Sequence, residues 1–469
     1  MWLFAVLFLV AIAERSHALV VQSTRFSGQR RDQQSGIALQ AIADPAFTNT
    51  RDGTDVRYAV NITVNGQDFR VAIDTGSSDL WIVTPSDFSF TETGITVFTD
   101  YGSGSGGTQV NGTIGFASVQ VGGYTSNQQA FTNATSVGLE DILDIGLDGL
   151  MGLSFDFQEL SALTNALVET GHEASLGQSF LFNIFDQTPG QDNFIGISLS
   201  RTADLEGTAD ASLAINEYDD KYAAVADAPI LPLFPGGNQR FSILVDGFSI
   251  DGASISPPPS TVPGAPAGKI VALIDTGTPT AQIPQQLFDA IYGKIPGAIL
   301  ITADGTSIWT VPCNTTAILS IEIGGQPFPI HPLDLSDVYF DNVTKAVTCS
   351  PGPGWVTEAG DGNFDMIFGD AFMRNFYSVF NLGNSVANSP TANASIQLLS
   401  QTDPTTVAND VLKVRMAELA ALPLATSSAV QSGSTPTGSV ANHNGQSSLG
   451  IPHYIPVVSA IFLLSILLA

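Results

Sequence analysis

The chain of 469 residues carries 44 acidic and 16 basic side chains, which gives a formal net charge of −28 at pH 7, yet 44% of its residues are hydrophobic. This hydrophobicity argues against intrinsic disorder. The shortage of Lys and Arg argues against nucleic acid as a partner, because phosphate binding needs clustered Lys and Arg side chains. With only two cysteines, the chain is neither a cysteine-rich zinc module nor a disulfide-dense miniprotein.

The N-terminus has the pattern of a secretory signal peptide. Residues 2–13 are apolar, and Ser16-His17-Ala18 is a small-x-small sequence that suits cleavage after Ala18. We therefore predict a signal peptide over residues 1–18, with a buried helix as the alternative.

The next segment, residues 19–51, is basic, whereas the body that follows is acidic. It carries Arg25, Arg30, Arg31 and Arg51 against Asp32 and Asp44. Opposite charges attract at neutral pH, and protonation of the carboxylates weakens that attraction. We predict a propeptide over 19–51 that is released in acid; a disordered N-terminal tail is the alternative.

The predicted elements are mostly short strands separated by glycines. An alternating strand and an Asn-Gly turn predict a hairpin over residues 61–71, and residues 241–247 read as another strand. Amphipathic patterns predict helices over residues 157–169 and 284–294. Residues 405–422 also have a helical pattern, to which we assign no function.

A duplicated unit fills the middle of the chain. Residues 71–77 read V-A-I-D-T-G-S, and residues 272–278 read A-L-I-D-T-G-T. Two further pairs follow in the same order: the Gly-Gly turns at 122–123 and 324–325, then G-L-M-G at 149–152 and M-I-F-G at 366–369. Three landmarks in register predict two similar β lobes, residues 52–225 and 226–403.

The C-terminus has the pattern of a lipid-anchor signal. Residues 404–446 form a Ser/Thr/Gly-rich linker, and residues 447–469 end in an apolar run of about 15 residues, which is short for a membrane-spanning helix. Small residues, a polar spacer and an apolar tail predict a GPI-attachment signal, with a plain tail anchor as the alternative. Six sequons fit an exported glycoprotein: Asn61, Asn111, Asn133, Asn314, Asn342 and Asn393.

Each Asp-Thr-Gly turn holds a carboxylate at the end of an apolar strand. If the two lobes face each other, Asp74 and Asp275 meet at their interface. Two adjacent carboxyl groups share one proton, so one can act as a base on water while the other polarises a carbonyl. This chemistry hydrolyses an amide without a metal or another cofactor. A single Asp-Thr-Gly is usually only a turn, but two copies in matched contexts favour the catalytic interpretation.

Residues 55–400 resemble the pepsin-like (A1) family of aspartic endopeptidases, through D-T-G-S-S-D-L-W at 74–81 and D-T-G-T at 275–278. The resemblance implies a mainly β, bilobal fold in which two β-barrel-like lobes enclose the active site in a cleft. It also implies that Asp74 and Asp275 are the catalytic pair, that the substrates are polypeptides and that the catalytic unit is a monomer.

The same resemblance implies roles for further residues. Thr75 and Thr276 would brace the two turns, while Ser77 and Thr278 would bond the outer carboxylate oxygens. Residues 98–105 are similar to the family's flap, whose Tyr101 hydroxyl would point toward Trp81. Substrate contacts would come from Tyr101, Gly102, Ser103, Gly76, Gly277 and Thr278. Cys313 and Cys349 occupy the place of the family's second-lobe disulfide.

The sequence thus predicts an aspartic endopeptidase that acts in acid on the extracellular face of the cell, attached to the membrane or wall through a lipid anchor. The alternative is a catalytically silent pepsin-like binding or wall protein. Glu140, Asp141 and Asp144 either line a subsite for basic residues or are solvated loop charges.

Overall fold

The computed structural model describes residues 20–25, 58–102, 109–138, 143, 146–190, 192–199, 211–237, 239–279, 281–303, 306–340, 346–351, 355–356, 362–383, 393–420 and 422. The predicted signal peptide, the linker after residue 422 and the anchor signal lie outside the described residues. So do Ser103, Asn342 and the three acidic residues at 140, 141 and 144.

Within its described residues, the first part of the chain contains ten strands, in line with the short apolar segments between its glycines. They are β1 (Val20–Arg25), β2 (Tyr58–Val64), β3 (Gln67–Asp74), β4 (Leu80–Ile82), β5 (Thr91–Asp100), β6 (Gln109–Val121), β7 (Tyr124–Val137), β8 (Gly149–Gly152), β9 (Phe194–Ser198) and β10 (Ala211–Ile215). The predicted hairpin is present as β2–β3, where Asn65 and Gly66 both have positive φ, as a tight two-residue turn requires.

Sixteen further strands follow among the described residues. They are β11 (Leu231–Pro232), β12 (Ser242–Val245), β13 (Gly247–Ile250), β14 (Ala253–Ile255), β15 (Ile270–Ile274), β16 (Ala281–Gln282), β17 (Ile299–Ala303), β18 (Thr306–Thr310), β19 (Leu319–Ile323), β20 (Gln326–Ile330), β21 (Asp337–Phe340), β22 (Val347–Ser350), β23 (Trp355–Val356), β24 (Met366–Phe368), β25 (Phe376–Asn381) and β26 (Ser395–Ser400). Strand thus dominates both halves, as the sequence predicted.

Five α-helices lie in the described residues: α1 (Ala162–Glu169), α2 (Phe180–Phe185), α3 (Gln285–Tyr292), α4 (Asp370–Met373) and α5 (Val407–Ala420). The helices predicted over 157–169 and 284–294 correspond to α1 and α3. The start of the first prediction was too early, because Gln158–Leu160 forms a 3₁₀ turn and α1 begins only after Ser161, whose side chain caps it.

The duplication is visible in how each catalytic strand is supported. Strand β3 pairs in parallel with β8, and β15 pairs in parallel with β24. A carboxylate fixes the start of each pair: Asp148 accepts a hydrogen bond from the Arg70 amide at 2.7 Å, and Asp365 accepts one from the Val271 amide at 2.9 Å. Equivalent residues therefore perform the same task in the two lobes.

An antiparallel sheet joins the two halves of the chain. Strand β9 pairs with β10 on one side and with β25 on the other, and β25 pairs with β26. Strand β1 lies between β10 and β2. Aromatic side chains also pack across the junction, with the ring of Phe241 4.5 Å from that of Phe155 and 4.8 Å from that of Phe380.

Helix α5 lies against the second half of the chain. The buried guanidinium of Arg415 donates to the carbonyl and hydroxyl oxygens of Ser336 and pairs with Glu418 at 2.8 Å. Among the described residues, no helix is both long and apolar enough to cross a membrane. Cys313 and Cys349 form the disulfide that the resemblance implied.

Candidate active site

The two Asp-Thr-Gly turns meet between the lobes. Asp74 is the last residue of β3 and Asp275 directly follows β15, so each carboxyl group sits at the end of a buried strand. The side chains are almost enclosed, since the two residues are only 5% and 8% exposed. The structure thus brings together the two aspartates that the sequence separates by 201 positions.

Thr75 and Thr276 brace the turns reciprocally, as the resemblance implied. The Thr75 amide donates to Oγ1 of Thr276 at 3.0 Å, and the Thr276 amide donates to Oγ1 of Thr75 at 3.1 Å. Each hydroxyl in turn donates across the interface, to the carbonyl oxygens of Ile274 and Ile73, both at 3.0 Å. All four bonds are buried, so each lobe satisfies polar groups of the other.

Each aspartate accepts two further bonds from its own turn. Oδ1 of Asp74 accepts from the Gly76 amide at 2.8 Å, and Oδ2 accepts from the Ser77 hydroxyl. Oδ1 of Asp275 accepts from the Gly277 amide at 2.8 Å, and Oδ2 accepts from the Thr278 hydroxyl, also at 2.8 Å. The outer oxygens are therefore fixed by hydroxyls, which leaves the inner oxygens facing each other.

The environment of Asp74 favours its protonated form. Burial, the charge of Asp275 and a hydrogen bond with Asp275 raise the pKa of Asp74 from 3.8 to about 7, although the bonds from Ser77 and Gly76 act in the opposite direction. A carboxyl group that is protonated beside a second carboxyl group is the proton arrangement that hydrolysis of an amide requires.

Both turns require glycine because each turn closely approaches the carboxyl group of the opposite lobe. A Cβ on Gly76 would lie 2.7 Å from Oδ1 of Asp275, and a Cβ on Gly277 would collide with Oδ1 of Asp74. Each lobe therefore reaches the opposite carboxyl group through a residue that has no side chain, and substitution of either glycine would push the dyad apart.

A hairpin of the first lobe brings Tyr101 close to the Asp74 turn. Strands β5 and β6 pair up to Asp100 and Gln109, and Tyr101 and Gly102 begin the turn between them. Tyr101 packs against the cluster that contains Trp81, and its hydroxyl is buried. Burial and the charges of Asp79 and Asp74 raise its pKa well above 10, which keeps the phenol neutral.

Sequence reasoning missed a set of buried groups behind the first turn. Asp79 accepts from the Ser161 hydroxyl at 2.5 Å and from the Leu163 amide at 3.1 Å, which ties the catalytic turn to the start of α1. The following loop is bonded to the same turn, since the Ser154 amide donates to the Ser77 carbonyl at 2.9 Å and the Ser78 hydroxyl donates to the Phe155 carbonyl.

Asp156 lies in that loop and is 4% exposed. Burial raises its pKa from 3.8 to about 7, the charges of Asp79 and Asp186 add to this effect, and the bond from the Ser179 amide at 3.1 Å opposes it. A single acidic residue between two phenylalanines gives no pattern by which the sequence could have indicated its burial.

We expect Asp156→Asn to reduce the loss of stability on going from pH 5 to pH 8. A carboxyl group whose folded-state pKa is raised stabilises the fold below its unfolded pKa, near 4, and this stability is lost as pH rises through about 7. Asn removes that titration and keeps an oxygen for the Ser179 amide. The expected difference is on the order of 3 kcal/mol in the free energy of unfolding.

Urea denaturation at both pH values measures this difference. All proteins would carry Asp275→Asn, so that self-digestion does not interfere. The matched control is Asp87→Asn, at an exposed carboxylate of the first lobe. An equal loss of stability with and without Asp156→Asn would contradict the prediction.

Two buried, hydrogen-bonded carboxyl groups held between duplicated β lobes define a bilobal aspartic protease. The chain belongs to the eukaryotic aspartyl protease family, whose sequence profile matches residues 57–390. The mainly β, bilobal fold expected from the resemblance is confirmed.

Similar proteins support this family assignment. The chain is similar to cathepsin D of Dictyostelium discoideum, with 27% identity over 379 residues, covering 79% of this chain and 92% of the relative. It is also 27% identical over 438 residues to the aspartic-type endopeptidase ctsD of Aspergillus fumigatus, covering 90% and 80% of the two chains. The major aspartyl peptidase 1 of Cryptococcus neoformans is 26% identical over 369 residues, covering 73% and 70%. Family and relatives together identify the chain as an aspartic endopeptidase.

Proposed function

We propose that the chain hydrolyses peptide bonds of proteins at acidic pH, with Asp74 and Asp275 sharing one proton. The observation that carries this proposal is the close approach of the two buried carboxyl groups, in turns that are braced by the same residue type from each lobe. An ordinary pair of surface aspartates would have no such enclosure.

The shared proton accounts for both halves of the reaction. The ionised carboxylate takes a proton from a water molecule as its oxygen attacks the peptide carbon, while the protonated partner gives its proton to the carbonyl oxygen. When the tetrahedral intermediate collapses, the C–N bond breaks and the protonated carboxyl group gives its proton to the departing amine. The other carboxylate takes a proton from a hydroxyl of the intermediate as the new carboxylic acid product forms. The pair ends with one proton, as it began, and no bond to the enzyme forms.

We expect either Asp74→Asn or Asp275→Asn to lower kcat/KM for an unfolded protein by at least about 1,000-fold, because an amide can neither take nor give the proton. In the parent enzyme, activity should fall as pH rises toward 7, since the pKa of Asp74 is raised to about 7 and the proton is lost there. The assay is cleavage of denatured casein between pH 3 and 8, with a statine-type inhibitor as a further arm.

Asp186→Asn is the matched control, because it removes an exposed carboxylate and should leave the activity intact. Undiminished cleavage by either dyad variant would refute the mechanism. A parent protein that cleaves nothing and still binds peptides would favour the alternative, a catalytically silent binding protein.

Residues 19–51 act, in this proposal, as a propeptide. Their excess of arginines supports attraction to the acidic body, and the strand β1 lies inside this segment. Because β1 pairs with both β10 and β2, removal of the segment requires these pairings to break.

We expect acidification of the purified precursor to produce a new N-terminus beyond residue 25 together with a rise in activity. N-terminal sequencing before and after a step from pH 7 to pH 4 measures the first, and casein cleavage the second. The Asp74→Asn precursor is the control that shows whether the protein itself performs this cleavage, either in cis or through a second copy. An unchanged N-terminus with unchanged activity would exclude a propeptide.

We further propose that the enzyme is exported and held at the cell surface by a GPI anchor. The apolar ends of the sequence support this, as do the exposed sequon residues Asn61, Asn111, Asn314 and Asn393. Expressed in a eukaryotic cell, the protein should be released from the surface by a phosphatidylinositol-specific phospholipase C. Retention after that treatment, with a known GPI-anchored protein released in parallel, would favour the plain tail anchor.

A further inference from the structure

Arg240 lies at the border between the catalytic strand of the second lobe and the turn of the first. It precedes Phe241, whose carbonyl accepts a hydrogen bond from the Ile274 amide at 2.9 Å, one residue before Asp275. Phe241 is fully buried, which fixes the backbone next to Arg240. The position of the arginine is therefore set by the strand that ends at the dyad.

The side chain of Arg240 reaches across to the first lobe. Its Nη1 donates to the carbonyl oxygen of Gly76 at 3.4 Å. Gly76 itself lies against the dyad, because a Cβ at this residue would be 2.7 Å from Oδ1 of Asp275. The guanidinium group thus stands within about one residue's length of the atoms that hydrolyse the peptide.

The chemistry of this group points to a ligand. Arg240 is half-buried, so part of its surface remains accessible to solvent. A guanidinium group stays charged at acidic pH and has five N–H donors in a planar fork that matches a carboxylate. In a chain with 44 acidic and 16 basic residues, a cation at the catalytic turn is a local exception to the prevailing charge.

We propose that Arg240 is a specificity-determining residue that selects peptides with a Glu or Asp side chain near the scissile bond. The inference rests on the proposed endopeptidase function, whose substrate class it narrows. The substrate carboxylate would accept hydrogen bonds from the guanidinium group and lie beside the first catalytic turn, and the ionised form would be bound more strongly than the corresponding amide.

The test compares peptide pairs that differ only by Glu or Gln, with the exchange moved through each of the positions flanking one cleavage site. At pH 5 we expect one position at which the parent enzyme has a kcat/KM about tenfold higher for Glu, the size expected of one charge-assisted contact in a half-exposed site. At pH 3 the preference should shrink, because the peptide carboxylate is then largely protonated.

Variants separate recognition from structural support. Arg240→Gln should bring the Glu/Gln ratio close to one, and Arg240→Lys, which keeps the charge, should retain part of it. The matched control is Lys269→Gln, which removes a cation paired with Asp246 at 2.6 Å, and it should keep the parent ratio. If Arg240 only braces the two lobes, Arg240→Gln lowers kcat/KM for the Glu and Gln peptides by the same factor. The Glu/Gln ratio would then stay unchanged, which would overturn the proposal.

A binding measurement keeps this test independent of catalysis. The dissociation constants of the same peptide pairs are measured on the Asp275→Asn protein, with and without Arg240→Gln. Absence of cleavage by the parent enzyme would refute the proposed function, whereas a Glu/Gln binding ratio that depends on Arg240 would still support the recognition proposal. Equal binding of Glu and Gln peptides at every position would refute it.

Discussion

The reciprocal hydrogen bonds between Thr75 and Thr276 are the constraint on which the site depends. Each threonine gives its hydroxyl proton to the other lobe and accepts the amide proton of its counterpart, so neither turn has its buried polar groups satisfied alone. Loss of the partner would leave buried donors and acceptors unpaired, which costs about 1–3 kcal/mol for each group. The lobes therefore hold their carboxyl groups together as a consequence of satisfying their own backbones.

The brace makes a costly arrangement of charge possible. The two carboxyl groups are almost fully enclosed, and this burial together with their mutual repulsion opposes ionisation, which raises the pKa of Asp74. The absence of side chains at Gly76 and Gly277 is part of the same requirement, because any Cβ there would occupy the space of the opposite carboxyl group. The close approach of the two turns therefore both assembles the carboxyl pair and makes its ionisation unfavourable.

The support extends beyond the two turns. Asp79 connects the first turn to α1, and the loop that contains Asp156 is hydrogen-bonded to the residues that follow Asp74. Protonation of Asp156 therefore affects a loop that touches the catalytic turn directly. An acidic environment favours the neutral forms of this carboxyl group and of Asp74 together, because burial raises the pKa of both to about 7.

The sequence alone determined the duplication, the strand-rich architecture and the two Asp-Thr-Gly turns, because these depend on local patterns: apolar alternation, glycine in turns and a repeated order of landmarks. The hairpin at Asn65-Gly66 and the helix that begins after Pro284 are of this kind. Only the tertiary structure decided the raised pKa of Asp74, the burial of Asp156 and the approach of Arg240 to Gly76. Each of these depends on which groups from distant parts of the chain exclude water from one another, and no local pattern carries that information.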